Sequence, residues 1–176
     1  MKIVPILKKF SSIYAVVFNG DDELNKAFDL WNDVEYLTAF FEKNKHDLNL
    51  YGAGISQIDT AVEKTLLEAE MLENRILRIV ETAGESFDKF FKPLDRVVPI
   101  HQKSKAYGLK RRSWLRLYAV RINPDLYVIS GSAIKLTQKM QDRVHTSKEL
   151  VKLNRVRDYL KEEGLFSDSD FKYLES

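Results

Sequence analysis

The sequence predicts a single α+β domain, and three observations carry that reading. Apolar residues recur with helical spacing between residues 22 and 82. From residue 113 to 130 they alternate with the period of a strand. The chain has 176 residues, 44% of them apolar, which suits one core and needs no staples.

The N-terminal part reads as strand, strand, helix, helix. Residues 2–7 and 13–18 are short strands, the second (IYAVVF) ending on the turn signal Asn19-Gly20. Asp21 or Asp22 caps a helix over 22–41, with Leu24, Ala27, Phe28, Trp31, Val34, Leu37 and Phe41 on its buried face. Residues 44–54 read as a loop. Ser56 is the expected N-cap of a second helix over 58–82, which carries an apolar stripe from Ile58 to Ala83 and stops at Gly84. One further turn is expected over 85–91, before Pro93.

The character changes at Arg96. Residues 96–112 read as extended and loop-like, and residues 113–122 and 126–130 as an antiparallel hairpin joined across Asn123-Pro124-Asp125. Residues 133–137 form a third strand or a strand end. Thr146 is the expected cap of a helix over 147–163, with Glu149 completing a capping box and Gly164 as the stop. The tail after it is acidic and long enough for one short helix. The first half of this architecture is then a strand-plus-acidic-helix layer (1–100). The second is a basic hairpin followed by a C-terminal helix (101–176).

Charge is segregated along the chain. Residues 20–96 hold nine Lys/Arg against seventeen Asp/Glu, whereas residues 101–157 hold fourteen against three. An excess of eleven positive charges in one segment points to an anionic partner. There is no cysteine, which removes disulfides, thiolate metal sites and a cysteine nucleophile, and fits a reducing cytoplasm. No window approaches the roughly 18 apolar residues of a membrane span, so no membrane partner is expected. The sequence has no P-loop, no GxGxxG, no HExxH and no GxSxG, and the histidines are scattered; no metal and no cofactor is expected.

Within the basic segment, Leu115, Leu117 and Ala119 share one strand face, with Arg121 at its end. Trp114, Arg116, Tyr118 and Val120 share the other. Cations bind phosphates and aromatic faces stack on splayed bases, so the second face suits RNA. A hairpin brings Lys135, Lys139 and Arg143, next to His145, toward Arg116 and Arg121. Lys110, Arg111 and Arg112 read as a solvated run or as a nonspecific phosphate clamp. For Trp114 and Tyr118 the alternative is burial beneath a helix.

The runs LRLYAVR (115–121), YVISG (127–131) and IKLTQKM (134–140) together resemble the RelE/HigB-like toxin superfamily. The order of a strand, two helices and an antiparallel sheet resembles it too. The motif match covers residues 113–142. Relative to the family pattern, the strand within residues 1–10, the helix over 147–163 and the acidic tail are additions or replacements, and the connection 96–112 is long. The resemblance implies a metal-independent endoribonuclease acting on mRNA, on the ribosome or free, and silenced by an antitoxin protein. It assigns Arg116, Arg121, Lys135 and Lys139 as catalytic. Lys110, Arg111, Arg112, Tyr118, Arg143 and His145 are then the RNA contacts, with Tyr118 as the stacking platform. The other readings are a non-catalytic nucleic-acid or ribosome-binding protein on the same scaffold, and a gyrase-directed relative.

Overall fold

The computed structural model describes residues 1–6, 12–52, 57–82, 85–110 and 112–174. Leu7, Gly54, Ser56, Ala83, Gly84 and Arg111 lie outside the described residues. The strands β1 (Lys2–Pro5) and β2 (Ile13–Val17) form an antiparallel pair. After β2 the chain turns on Asn19 and Gly20, both at positive φ. Helix α1 (Glu23–Asn32) then starts on Asp22, whose carboxylate accepts from the Leu24 and Asn25 amides at 3.0 Å. The continuous helix expected over 22–41 is broken: Asp33 is extended and its carboxylate accepts from the Tyr36 amide, opening α2 (Val34–Lys43). The periodicity runs through the break, so the apolar stripe alone does not reveal it.

The expected loop after residue 44 contains a short helix, α3 (Lys45–Leu50), anchored by the buried Leu48. Helix α4 (Ile58–Glu81) follows, then the single turn α5 (Phe87–Phe90). The segment expected to be loop-like holds two strands, β3 (Lys92–Pro93) and β4 (Gln102–Tyr107). The hairpin is longer than its apolar alternation: β5 (Leu115–Asn123) and β6 (Leu126–Ile134) turn on Pro124 and Asp125, the latter at φ +71°. Helix α6 (Val144–Glu162) starts one turn before the expected cap. Thr146 lies inside that first turn and donates to the Met140 and Arg143 carbonyls at 2.6 and 3.0 Å, so Glu149 closes no capping box. The tail adds α7 (Asp168–Lys172).

Among the described residues, six strands form one mixed sheet in the order β1-β2-β6-β5-β4-β3. Only β2 and β6 run parallel among the described residues; the other pairs are antiparallel. The reason is connectivity: the helices α1 to α4 carry the chain across the sheet before the hairpin returns beside β2.

Both faces of the sheet are covered. Helices α1, α2 and α4 bury Trp31, Leu37, Phe41 and Leu72 against Ile13, Leu115, Leu117, Ala119 and Ile129. On the opposite face α6 and α7 bury Leu153, Val156, Leu160 and Phe171 against Tyr14, Tyr118, Val120, Ile122 and Val128. A strand covered on two sides has no solvent face, and this decides the fate of several candidate site residues. Among the described residues, no helix is long and apolar enough to cross a membrane.

Candidate nucleic-acid interface

The β4–β5 register builds the site. Lys105 sits opposite Tyr118, and Tyr107 opposite Arg116. Side chains two apart on a strand point the same way, so Lys103, Lys105 and Tyr107 join Arg116 and Tyr118 on one face. Where α6 does not cover that face, a cleft of about 720 Å³ opens. The chain leaving β6, residues 135–141, forms one wall; Leu150 and Asn154 of α6 also line it.

The wall is fixed by local hydrogen bonds. The Lys135 amide donates to the Trp114 carbonyl at 2.8 Å. Its ammonium donates to the Thr137 carbonyl at 2.6 Å and to that of Gln138. The Lys139 amide donates to the Asp142 carboxylate at 2.8 Å, closing a short 3-10 turn. Arg116 reaches back to the Ser113 and Leu115 carbonyls, both at 2.7 Å, and its guanidinium lies over the Tyr107 ring, 4.1 Å from the centre.

Cations dominate the electrostatics of the cleft, although Asp95 lines it and Asp142 acts on Lys135 with the opposite sign. Among the described residues no carboxylate pairs with Lys105, Arg116, Lys135 or Lys139. Lys103 at the far end is held by Asp95 at 2.8 Å. Burial pushes the Lys135 ammonium below the usual lysine value, and Arg116 and Lys105 push it the same way.

The cleft thus gathers Arg116, Lys135 and Lys139, with Tyr118 beneath them. Tyr118 is a correction: it is 1% exposed, so its ring offers no face to a base. Trp114 is also buried, but on the other side of the sheet. Its indole donates to Thr65 at 3.0 Å and meets Phe41 and Tyr51 edge-on.

Arg121 is a second correction. It lies on the α1–α4 side of the sheet, paired through Nε and Nη2 with both oxygens of Asp88, and lines no part of the cleft. Arg143 is likewise bound to Asp47 through both carboxylate oxygens. His145 places Nε2 2.9 Å from the Ile134 carbonyl and packs edge-on against Phe40, which makes it part of the joint between α2 and α6. Lys110 and Arg112 are exposed, Arg112 donating to the Gly52 carbonyl at 2.6 Å; neither lines the cleft. No protein-family model, curated protein or solved structure matches this chain.

Sequence reasoning missed Lys103, Lys105 and Tyr107. Their alternation with Gln102, Ser104 and Ala106 was the available signal, but a strand of polar residues lacks the apolar marker that period-two reading depends on. Among the described residues, no group of three or more His, Cys, Asp or Glu side chains is placed to hold a metal ion.

Proposed function

We propose that the cleft binds RNA and that the chain is a RelE-like, metal-independent endoribonuclease of a toxin–antitoxin pair. One observation carries this: Lys105, Arg116, Lys135 and Lys139 converge on one cleft without a pairing carboxylate among the described residues. Four uncompensated cations favour a polyanion. A toxin of this kind needs a base for the ribose 2′-hydroxyl and cations around the phosphate.

Lys135 suits the base. An ammonium has three donors, and two of Lys135's are spent on the Thr137 and Gln138 carbonyls. The neutral amine can keep both bonds and turn its lone pair to the third position; the two carbonyls favour the ammonium, while burial and the neighbouring Arg116 and Lys105 favour the amine. Lys135 takes the 2′-hydroxyl proton, the 2′-oxygen attacks the adjacent phosphorus, and the 5′-oxygen departs and takes a proton from water. The products are a 2′,3′-cyclic phosphate and a free 5′-hydroxyl. Arg116, with Lys105 and Lys139, stabilises the added charge on the phosphate.

A second reading, a binder without chemistry, is favoured by the cleft's lining. Among the described residues its lining holds no histidine and one carboxylate, Asp95, which is paired with Lys103, so acid–base work falls to lysines and Tyr107. Expression in cells, with RNA mapped in the presence of translating ribosomes, separates the two. Growth arrest and new 5′-hydroxyl ends, both lost in Lys135→Ala and Arg116→Ala, support the nuclease. RNA binding without cleavage assigns the cleft to the binder, and growth arrest without cleavage points to a gyrase-directed relative.

A further inference from the structure

Strand β4 presents three side chains in a row to the cleft: Tyr107, Lys105 and Lys103. Alternate residues on a strand stand about 6.6 Å apart, a step comparable to that between successive phosphates of an extended single strand. The first of the three is aromatic and 40% exposed, an uncommon degree of exposure for a tyrosine on a sheet face otherwise covered by α6. The Arg116 guanidinium lies over its ring 4.1 Å from the centre, and the Lys105 ammonium lies over it more loosely at 5.6 Å, so a base stacking on the ring displaces Lys105 toward the adjoining phosphate. The second, Lys105, has no carboxylate partner among the described residues; the third is tied to Asp95. An aromatic face beside a cation that no carboxylate neutralises is the combination that binds a base and its phosphate together, whereas cations alone bind any polyanion.

We propose that β4 is a track for an unpaired RNA strand, with one base stacked on Tyr107 and the adjoining phosphate on Lys105, the Asp95–Lys103 pair marking the end of the track. This rests on the RNA-binding reading of the cleft but not on cleavage. The substrate class it names is single-stranded, because a base inside a duplex has no free face to offer.

The test is a fluorescence-anisotropy titration of the full chain with a short labelled single-stranded RNA, with the same RNA annealed to its complement, and with inorganic polyphosphate as competitor. The parent protein is expected to prefer the single strand. Tyr107→Ala should weaken single-strand binding about tenfold, the scale of one lost base stack, while polyphosphate competes as before. Tyr107→Phe should restore the binding, and Lys105→Ala should weaken RNA and polyphosphate alike. The track is overturned if Tyr107→Ala leaves single-strand affinity unchanged, if it weakens both ligands equally, or if the parent prefers duplex. If Arg116→Glu and Lys135→Glu also leave both ligands bound as before, the cleft reading falls with it. If those two variants weaken binding and Tyr107→Ala does not discriminate, the track alone falls. Thermal melts of each variant check the fold, which an exposed side chain such as Tyr107 should leave unmoved.

Discussion

Arg121 grips Asp88 through both carboxylate oxygens, Nε and Nη2 each at 3.0 Å, and the Tyr127 hydroxyl donates to the same carboxylate at 2.6 Å. The pair ties β5 to the single turn of α5, so the charge of Arg121 is spent on the scaffold.

Its consequence is acid lability. The Arg121 hydrogen bond holds the Asp88 carboxyl below the usual carboxylate range, with Tyr127 adding to it against the opposing effect of burial. A depressed folded value means that Asp88 contributes stability above the unfolded pKa of about 3.9 and loses it as pH falls through the folded value. Arg121→Ala is expected to cost about 1 kcal/mol at neutral pH, the upper end for a partly exposed pair. That difference should vanish in urea melts taken well below pH 4. An Arg121→Ala protein that is fully stable yet inactive would return this residue to the site.

Arg116 and Leu117 should separate function from stability. Arg116→Glu and Lys135→Glu together remove two cations from the cleft and should lower the salt dependence of RNA binding by roughly 1–2 in slope, at about 0.7 per phosphate contact. Their melting temperatures should fall less than that of a buried-leucine variant, because the donor bonds they lose, to the Ser113, Leu115, Thr137 and Gln138 carbonyls, lie at the partly exposed wall of the cleft. Leu117 is fully buried between β5 and the helices, and Leu117→Ala should cost about 2–5 kcal/mol. Binding measured at several salt concentrations beside thermal melts checks both halves.

Tyr118→Phe should stabilise the protein. The Tyr118 hydroxyl is buried without a hydrogen-bond partner among the described residues, and burial pushes its pKa upward. Leaving such a group unpaired costs on the order of 1–3 kcal/mol. Removing it is expected to raise the melting temperature by roughly 2–4 °C, the shift of about 1 kcal/mol in a chain of this size. RNA affinity should not change, because the ring is covered. A lower melting temperature would show that the hydroxyl is satisfied.

Glu149 and Gly131 make the joint between α6 and the sheet. A methyl group at Gly131 would lie 2.0 Å from the Glu149 carboxylate and 2.6 Å from the Lys152 side chain, which also pairs with Glu23. Gly131→Ala should therefore swing the tips of Glu149 and Lys152 aside, and because these are the far ends of flexible side chains the cost should lie at or below the low end of about 1–3 kcal/mol. Burial pushes the Glu149 carboxyl above its usual value, against the pull of Lys152. The sign is opposite to that of Asp88: this contribution is full below the unfolded pKa of about 4.3 and declines as pH rises through the folded value. Glu149→Gln should flatten that decline in melts taken from pH 4 to 7, and an unchanged pH profile would count against it.

Local physics made much of the fold legible. The stripes of α1, α2 and α4 mark buried helix faces because 3.6-residue spacing puts Leu24, Phe28 and Trp31, or Val62, Ala69 and Leu72, on one side. The β5–β6 hairpin shows through apolar alternation and its proline turn. The end of α1 did not, because Asp33 is extended, closing α1 with its backbone N–H on the Leu30 carbonyl and opening α2 with its side chain, while the apolar period in the sequence runs on. Strand β4 did not, because its inward residues are small or polar.

By itself the sequence determined the α+β class, the basic character of the second half and the sharing of faces along β5, since charge and periodicity are properties of the chain. Period two says which side chains share a face, not what covers it. Only the packing of α6 decided that Tyr118 is core while Arg116 borders a cleft. Only the hydrogen-bonded register between β4 and β5 put Tyr107 and Lys105 beside Arg116 and Tyr118, because cross-strand neighbours are chosen by the whole sheet rather than by distance along the chain. The same long-range geometry gave Arg121 to Asp88 and Arg143 to Asp47, so the cations that remain for a polyanion are those the acidic helices do not reach.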